Sequence, residues 1–141
     1  MKKLLLLFFG FWILTSCDKE FYLDNFPQKW QLISMYGQIP NSTVSGADME
    51  WQESYLLNSD GTFTKSRTRN GVLTEASGTF LFKDINDEKY LVLYFDNNSS
   101  IIGSCTYYNL QESFWVRSEK RMTGTWSNCD GPGLEYTRIK L

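Results

Sequence analysis

Three thiols and no imidazole define the chemistry open to this 141-residue chain. Cys17, Cys105 and Cys129 are its candidate nucleophilic or cross-linking groups. The absence of histidine removes the commonest general base at neutral pH and the commonest metal ligand. It also removes every Ser-His or Cys-His pairing. A base would have to be a carboxylate or a lysine, and no paired-carboxylate spacing stands out. Asp84, Asp87 and Glu88 fall in one turn, but they lack the glycine and spaced ligands of a dedicated calcium loop. An acidic, solvated turn is expected there, with no metal, no cofactor and no enzymatic activity. Lys65, Arg67 and Arg69 recur at alternate positions, so on a strand they share one face. Such a row either receives an anionic group or forms a solvated outer face that discourages edge pairing. The outer face is the expectation.

The first thiol sits behind a distinctive leader. Lys2 and Lys3 precede eleven uninterrupted apolar residues, Leu4 to Leu14. A charged start, an apolar run and then small residues make the pattern of a secretory signal. Eleven helical residues span about 16 Å, half of a hydrocarbon core of about 30 Å, so a permanent transmembrane helix is not expected. Leu14-Thr15-Ser16-Cys17 resembles the lipobox of bacterial lipoprotein signal peptides. The resemblance implies cleavage between Ser16 and Cys17 and a lipid on Cys17. Two or three acyl chains would then hold the protein at a membrane. Asp18-Lys19-Glu20 resembles the sorting or surface-export signals of some Gram-negative lipoproteins, although a solvated tether would read the same way. The expected location is the cell envelope, at the outer membrane, with the periplasmic and surface faces both open.

Beyond Ser16 the chain keeps 12 basic and all 16 acidic residues, a net charge of about −4. That balance excludes a nucleic-acid partner, which requires a basic footprint to displace counterions. The two remaining cysteines, Cys105 and Cys129, form an even pair in an exported protein. A disulfide is the simplest reading, and two buried free thiols are the alternative.

Residues 17–28 read as a tether and 29–141 as one domain. Turn signals recur along it, including Asn58-Ser-Asp-Gly61, Asn70-Gly71, Lys83–Glu88, Asp96–Ser100, Ser118–Lys120 and Cys129–Gly133. Asn-Gly between extended runs is a strong hairpin signal, because both central positions favour positive φ. Between the turns, β-branched and aromatic residues alternate over Lys29–Tyr36, Trp51–Asn58, Thr62–Arg69, Val72–Lys83, Lys89–Phe95, Ile101–Leu110, Ser113–Arg117, Arg121–Ser127 and Leu134–Leu141. The fold class is all-β, an antiparallel up-and-down β-barrel that leaves no open edge. Antiparallel closure needs an even count, so Arg121–Ser127 is read as an extension or excursion and eight strands remain. Gly37–Met49 is the one long loop. In Trp51–Asn58, Glu53 shares the face of Trp51 and Tyr55, where an unpaired carboxylate would be costly. It therefore pairs with an arginine or sits at the barrel mouth.

Trp30-Gln-Leu32, Glu53-Ser-Tyr55 running into Asn58-Ser-Asp-Gly-Thr-Phe63, Ser77-Gly-Thr-Phe80 and Glu135-Tyr-Thr-Arg138 resemble, in order and spacing, the lipocalin-like domain lipoproteins of Gram-negative bacteria. The resemblance implies a small barrel with a calyx for an apolar molecule, and a structural stack of Trp30 under Arg138. The candidate lining is Tyr55, Phe63, Phe80, Tyr94, Tyr107 and Trp115. An eight-stranded barrel is just wide enough either to hold one small ligand or to be filled by side chains. The expected function is binding or carrying a small apolar or amphipathic ligand at the membrane. The competing one is a filled barrel that engages an envelope protein, as an inhibitor or an accessory subunit.

Overall fold

The computed structural model describes residues 23–106 and 110–141. The leader, Cys17 and Tyr107 lie outside the described residues. Nine strands follow in chain order: β1 (Gln28–Tyr36), β2 (Val44–Ser45), β3 (Gln52–Leu57), β4 (Thr62–Arg69), β5 (Val72–Ile85), β6 (Glu88–Phe95), β7 (Gln111–Ser118), β8 (Arg121–Gly124) and β9 (Gly133–Ile139). Every long strand pairs antiparallel with its sequence neighbour, and β9 returns to β1 from Lys29↔Ile139 to Tyr36↔Gly133. Eight strands thus close an up-and-down barrel. The ninth, β2, takes over the edge of β1 after β3 has left it at Gln31↔Ser54.

Local chemistry explains the closure. Asn70 and Gly71 adopt φ of 53° and 76°, and Asn86 and Asp87 adopt 51° and 63°; two-residue turns that match strand twist need such values. β5 is long because it serves two partners: Val72–Thr79 pair with β4 and Gly78–Ile85 with β6. At the hand-over, Gly78 has no Cβ to collide with the Tyr94 carbonyl, so the two strands can approach there.

Alternation puts Trp30, Leu32, Tyr55, Leu57, Phe63, Leu91, Leu93, Phe114, Met122 and Tyr136 inside, nearly or wholly buried. Each large apolar side chain so removed from water contributes about 1.5–3 kcal/mol. Tyr55, Phe114 and Tyr136 meet edge to face, with ring centroids 5.2–5.5 Å apart.

The two ends of the barrel differ. The entry end carries tight turns at 58–61, 86–87 and 119–120, and the chain arrives there at residue 23. Residues 23–28 are not a free tether: Leu23 is buried, and Phe26 packs against Phe80. The Leu23 carbonyl accepts from Gln28 Nε2, and the Asn25 carbonyl accepts from Arg138 at 2.6 Å. The loop end carries residues 37–51, 96–106 and 125–132, and the disulfide Cys105–Cys129 joins the last two.

Two strand assignments are corrected. Arg121–Gly124 is a full barrel strand, bonded to β7 and β9 on its two edges. The described part of 101–110 is loop instead. Ile101 is buried, while Gly103 lies so close to the Trp126 ring that a side chain there would collide with it. Its backbone donors are taken within the loop region: the Ile102 N–H goes to the Ser99 carbonyl and the Gly103 N–H to Glu112 Oε1.

Candidate functional site

Cross-strand register places four charged side chains inside the barrel. Glu53 on β3 stands opposite Arg67 on β4, and Tyr55 opposite Lys65. Glu112 reaches them from β7 and Tyr136 from β9. All six are at least 94% buried. Lys65 Nζ donates to Glu112 Oε1 at 2.6 Å and stands 3.4 Å from Glu53 Oε1. Arg67 Nε donates to Glu53 Oε2. Tyr136 donates to Glu53 Oε1 at 2.6 Å, and the Tyr55 hydroxyl lies 2.7 Å from Glu112 Oε2 and 3.1 Å from Glu53 Oε1. The backbone N–H of Gly103, from the loop after β6, donates to Glu112 Oε1 at 2.5 Å.

The two carboxyls behave oppositely. Burial pushes Glu53 up, but Lys65, Arg67 and the Tyr136 hydroxyl together outweigh it and hold the group below its ordinary 4.5. Burial also pushes Glu112 up, and there Lys65 does not fully compensate while the Glu53 charge adds to the rise. Burial and the neighbouring carboxylates raise Tyr55 and Tyr136 well above 10.0, so both remain protonated donors.

Glu112 is therefore expected to make the fold less stable as pH rises. A carboxyl raised above 4.5 in the folded state keeps its proton where the unfolded chain has lost its own. Its contribution is complete below 4.5 and disappears as pH climbs through the folded value. Glu53 acts the other way, contributing above 4.5 and losing that contribution as pH falls through its lowered value. Urea midpoints measured from about pH 3 to about pH 8 should separate the two limbs. In Glu112→Gln the decline on the alkaline side should vanish while the acid limb stays. A decline that survived the substitution would belong to another group.

The basic row therefore corrects the expectation of a solvated outer face. Lys65 and Arg67 point inward with Phe63, and only Arg69, at the strand end, is exposed, where it pairs with Glu50. The signal was in the parity, since Phe63, Lys65 and Arg67 alternate on one face. Glu112 was missed in the same way: it shares its face with Phe114 and Val116.

The five described lining residues are not gathered around one space. Tyr55 and Phe63 are interior, Phe63 standing edge-on to Phe95 at 4.9 Å. Phe80 lies at the entry end between Phe26 and Phe82. Tyr94 and Trp115 are on the outer wall, and Tyr94 is 45% exposed. Trp115 donates to the Tyr90 hydroxyl at 2.5 Å, with Arg117 over its ring at 4.9 Å. The strand Tyr90–Phe95 is apolar on both faces, so its parity is not readable from hydropathy; Leu91, Leu93 and Phe95 took the inside.

Trp30 and Arg138 are register partners, as expected of a stack, but their polar atoms turn elsewhere. The indole N–H goes to Gln28 Oε1 at 3.1 Å and the guanidinium to Asn25. Among the described residues a closer stack is Arg67 over Trp51, 4.2 Å from the ring centre. Two donors of that pair, Arg67 Nη2 and Trp51 Nε1, are buried and have no hydrogen-bond partner among the described residues. Trp51 also lines an open cleft of about 590 Å³ at the loop end, with Gly46, Met49, Glu50, Thr68 and Asn70.

Comparison with known proteins finds no matching family model, no similar curated protein and no similar solved structure.

Proposed function

We propose that this protein is a filled-barrel, non-enzymatic binding module of the bacterial cell envelope that engages a protein partner through its loop end. The observation that carries this reading is the network crossing the barrel interior. An apolar ligand seated there would have to displace Glu53, Lys65, Arg67 and Glu112 from one another, exposing buried charges to hydrocarbon. The two carboxylates are also withheld from solvent, which argues against acid–base chemistry on a substrate.

The tether supports the direction of binding. A lipid on Cys17 would lie six residues before Leu23, at most about 20 Å of extended chain. The entry end would then face the membrane and the loop end would face away. Ile39, Val72 and Leu73 lie in or beside the loops there and are 72%, 64% and 59% exposed, so that end offers apolar side chains to a partner. The four lipocalin-like motifs and the eight-stranded closure fit kinship with the lipocalin-like lipoproteins, acting here without a calyx.

Two measurements test the reading. An environment-sensitive apolar dye should show no saturable uptake, whereas one-to-one uptake competed by fatty acid would restore the carrier. A photo-crosslinking residue in place of Val72 should capture a discrete envelope protein in cells, and one in place of Asn86 at the opposite end should not. Equal capture at both ends, or none at Val72, would overturn the proposal.

A further inference from the structure

We infer that the Trp51–Arg67 pair is a recognition site for a carboxylate. The inference goes deeper into the proposed binding role by naming the chemistry that the loop end reads. Arg67 is 6% exposed and uses Nε on Glu53, which fixes the guanidinium plane, and Trp51, equally buried, stacks on that plane. Each keeps an N–H, closed off from solvent, with nothing among the described residues to receive it. Unsatisfied buried donors are rare in folded proteins, and here two occur in one contact.

Both orphan atoms are donors, so the missing group is an acceptor, and beside a guanidinium an anionic acceptor is favoured over a neutral one. A second guanidinium strengthens the preference. Arg69 lies 5.8 Å from the same indole ring, and its Nη2 already holds the Glu50 carboxylate. The chain's own Glu50 thus shows that a carboxylate is accepted at this corner. Glu50 and Arg69 are each more than half exposed, so their pair is weak and can be exchanged. An open cleft of about 590 Å³, the size of a small-ligand site, adjoins the pair; Trp51, Met49 and Glu50 line it, and Arg67 lies outside that lining. The carboxylate could belong to a small organic acid or to an acidic side chain or C-terminus of a partner protein; the chemistry read is the same.

The probe is sodium benzoate, with benzamide and sodium chloride at matched ionic strength as controls, followed by NMR on the full folded domain. The indole N–H of Trp51 and the Nε–H of Arg67 should shift saturably with benzoate and with neither control. Trp51→Phe keeps the stacking ring but removes one donor, and should weaken benzoate about tenfold, read at Arg67. Glu50→Gln, a surface change, should tighten it about threefold by removing the resident acid. A blocked peptide carrying one glutamate, compared with its glutamine counterpart, distinguishes a protein source from a small acid. Equal shifts with benzamide or chloride would overturn the inference. So would a bound water on Trp51 Nε1 that benzoate leaves in place. Failure here together with capture at Val72 would leave the binding role intact and remove only the carboxylate.

Discussion

Glu53→Gln is expected to lower the unfolding free energy by about 3–5 kcal/mol, the cost of breaking a buried ion pair by removing one partner. Domains of this size are stable by only about 5–15 kcal/mol, so the loss is a large fraction of the whole. The substitution is nearly isosteric and should leave the packing of Trp30, Leu57 and Phe63 undisturbed. It changes what Lys65, Arg67 and the Tyr55 and Tyr136 hydroxyls face. In the native protein Glu53 Oε1 receives Tyr136 and Tyr55 and stands 3.4 Å from Lys65, while Oε2 receives Arg67. A glutamine can accept at one oxygen only and presents an N–H₂ group to a donor. Arg67, whose Nη2 already lacks a partner, would then be a buried cation with no acid beside it.

The cost comes from the stranded charge, and combined variants make that visible. Adding Arg67→Met to Glu53→Gln should recover part of the loss, because the second change removes the charge that the first left unpaired. Urea unfolding of the four proteins of the cycle gives the coupling directly. A drop below about 1 kcal/mol for Glu53→Gln alone would mean that water reaches the network and that the interior is less filled than its burial indicates.

This network also marks where reading the sequence succeeded and where it stopped. The strands were legible because turn chemistry punctuates them. Asn70-Gly71 and Asn58-Ser-Asp-Gly61 announce hairpins, and the strand ends fall within a few residues of those signals. The even strand count was legible from closure alone. The polar interior was not, because hydropathy assigns Lys65, Arg67 and Glu112 to the surface. Each can stay inside only because its counter-charge arrives from another strand, at sequence separations of 14 for Arg67–Glu53 and 47 for Lys65–Glu112. Glu53 was the exception. Standing between Trp51 and Tyr55, it had to find a cation or water, and it found Arg67 and Lys65. Trp51 gave no warning of its own, since an orphan indole N–H is a property of what surrounds it.

Reducing Cys105–Cys129 is expected to cost about 3–4 kcal/mol, mostly through the unfolded chain. The bond closes a loop of sequence separation 24, and the chain-entropy estimate for such a loop is of that size. The folded loops have other ties. Gly103 and Gly131 each approach the Trp126 ring so closely that a Cβ on either would overlap it, so the indole is held between two stretches of backbone. Gly131 N–H also donates to the Trp126 carbonyl at 3.2 Å, and Gly103 N–H is bonded to the buried Glu112. The native loop end should therefore keep its shape without the bond, while the reduced unfolded chain gains freedom and surface. Two signatures follow. The urea midpoint should fall and the m-value should rise on reduction, because a chain released from its cross-link exposes more area when it unfolds. The Gly103 amide should stay protected from hydrogen exchange in the reduced native protein under mild conditions. If that protection collapsed with the bond, the disulfide would be holding the loop against the network in the folded state itself. The Glu112 contact would then depend on oxidation.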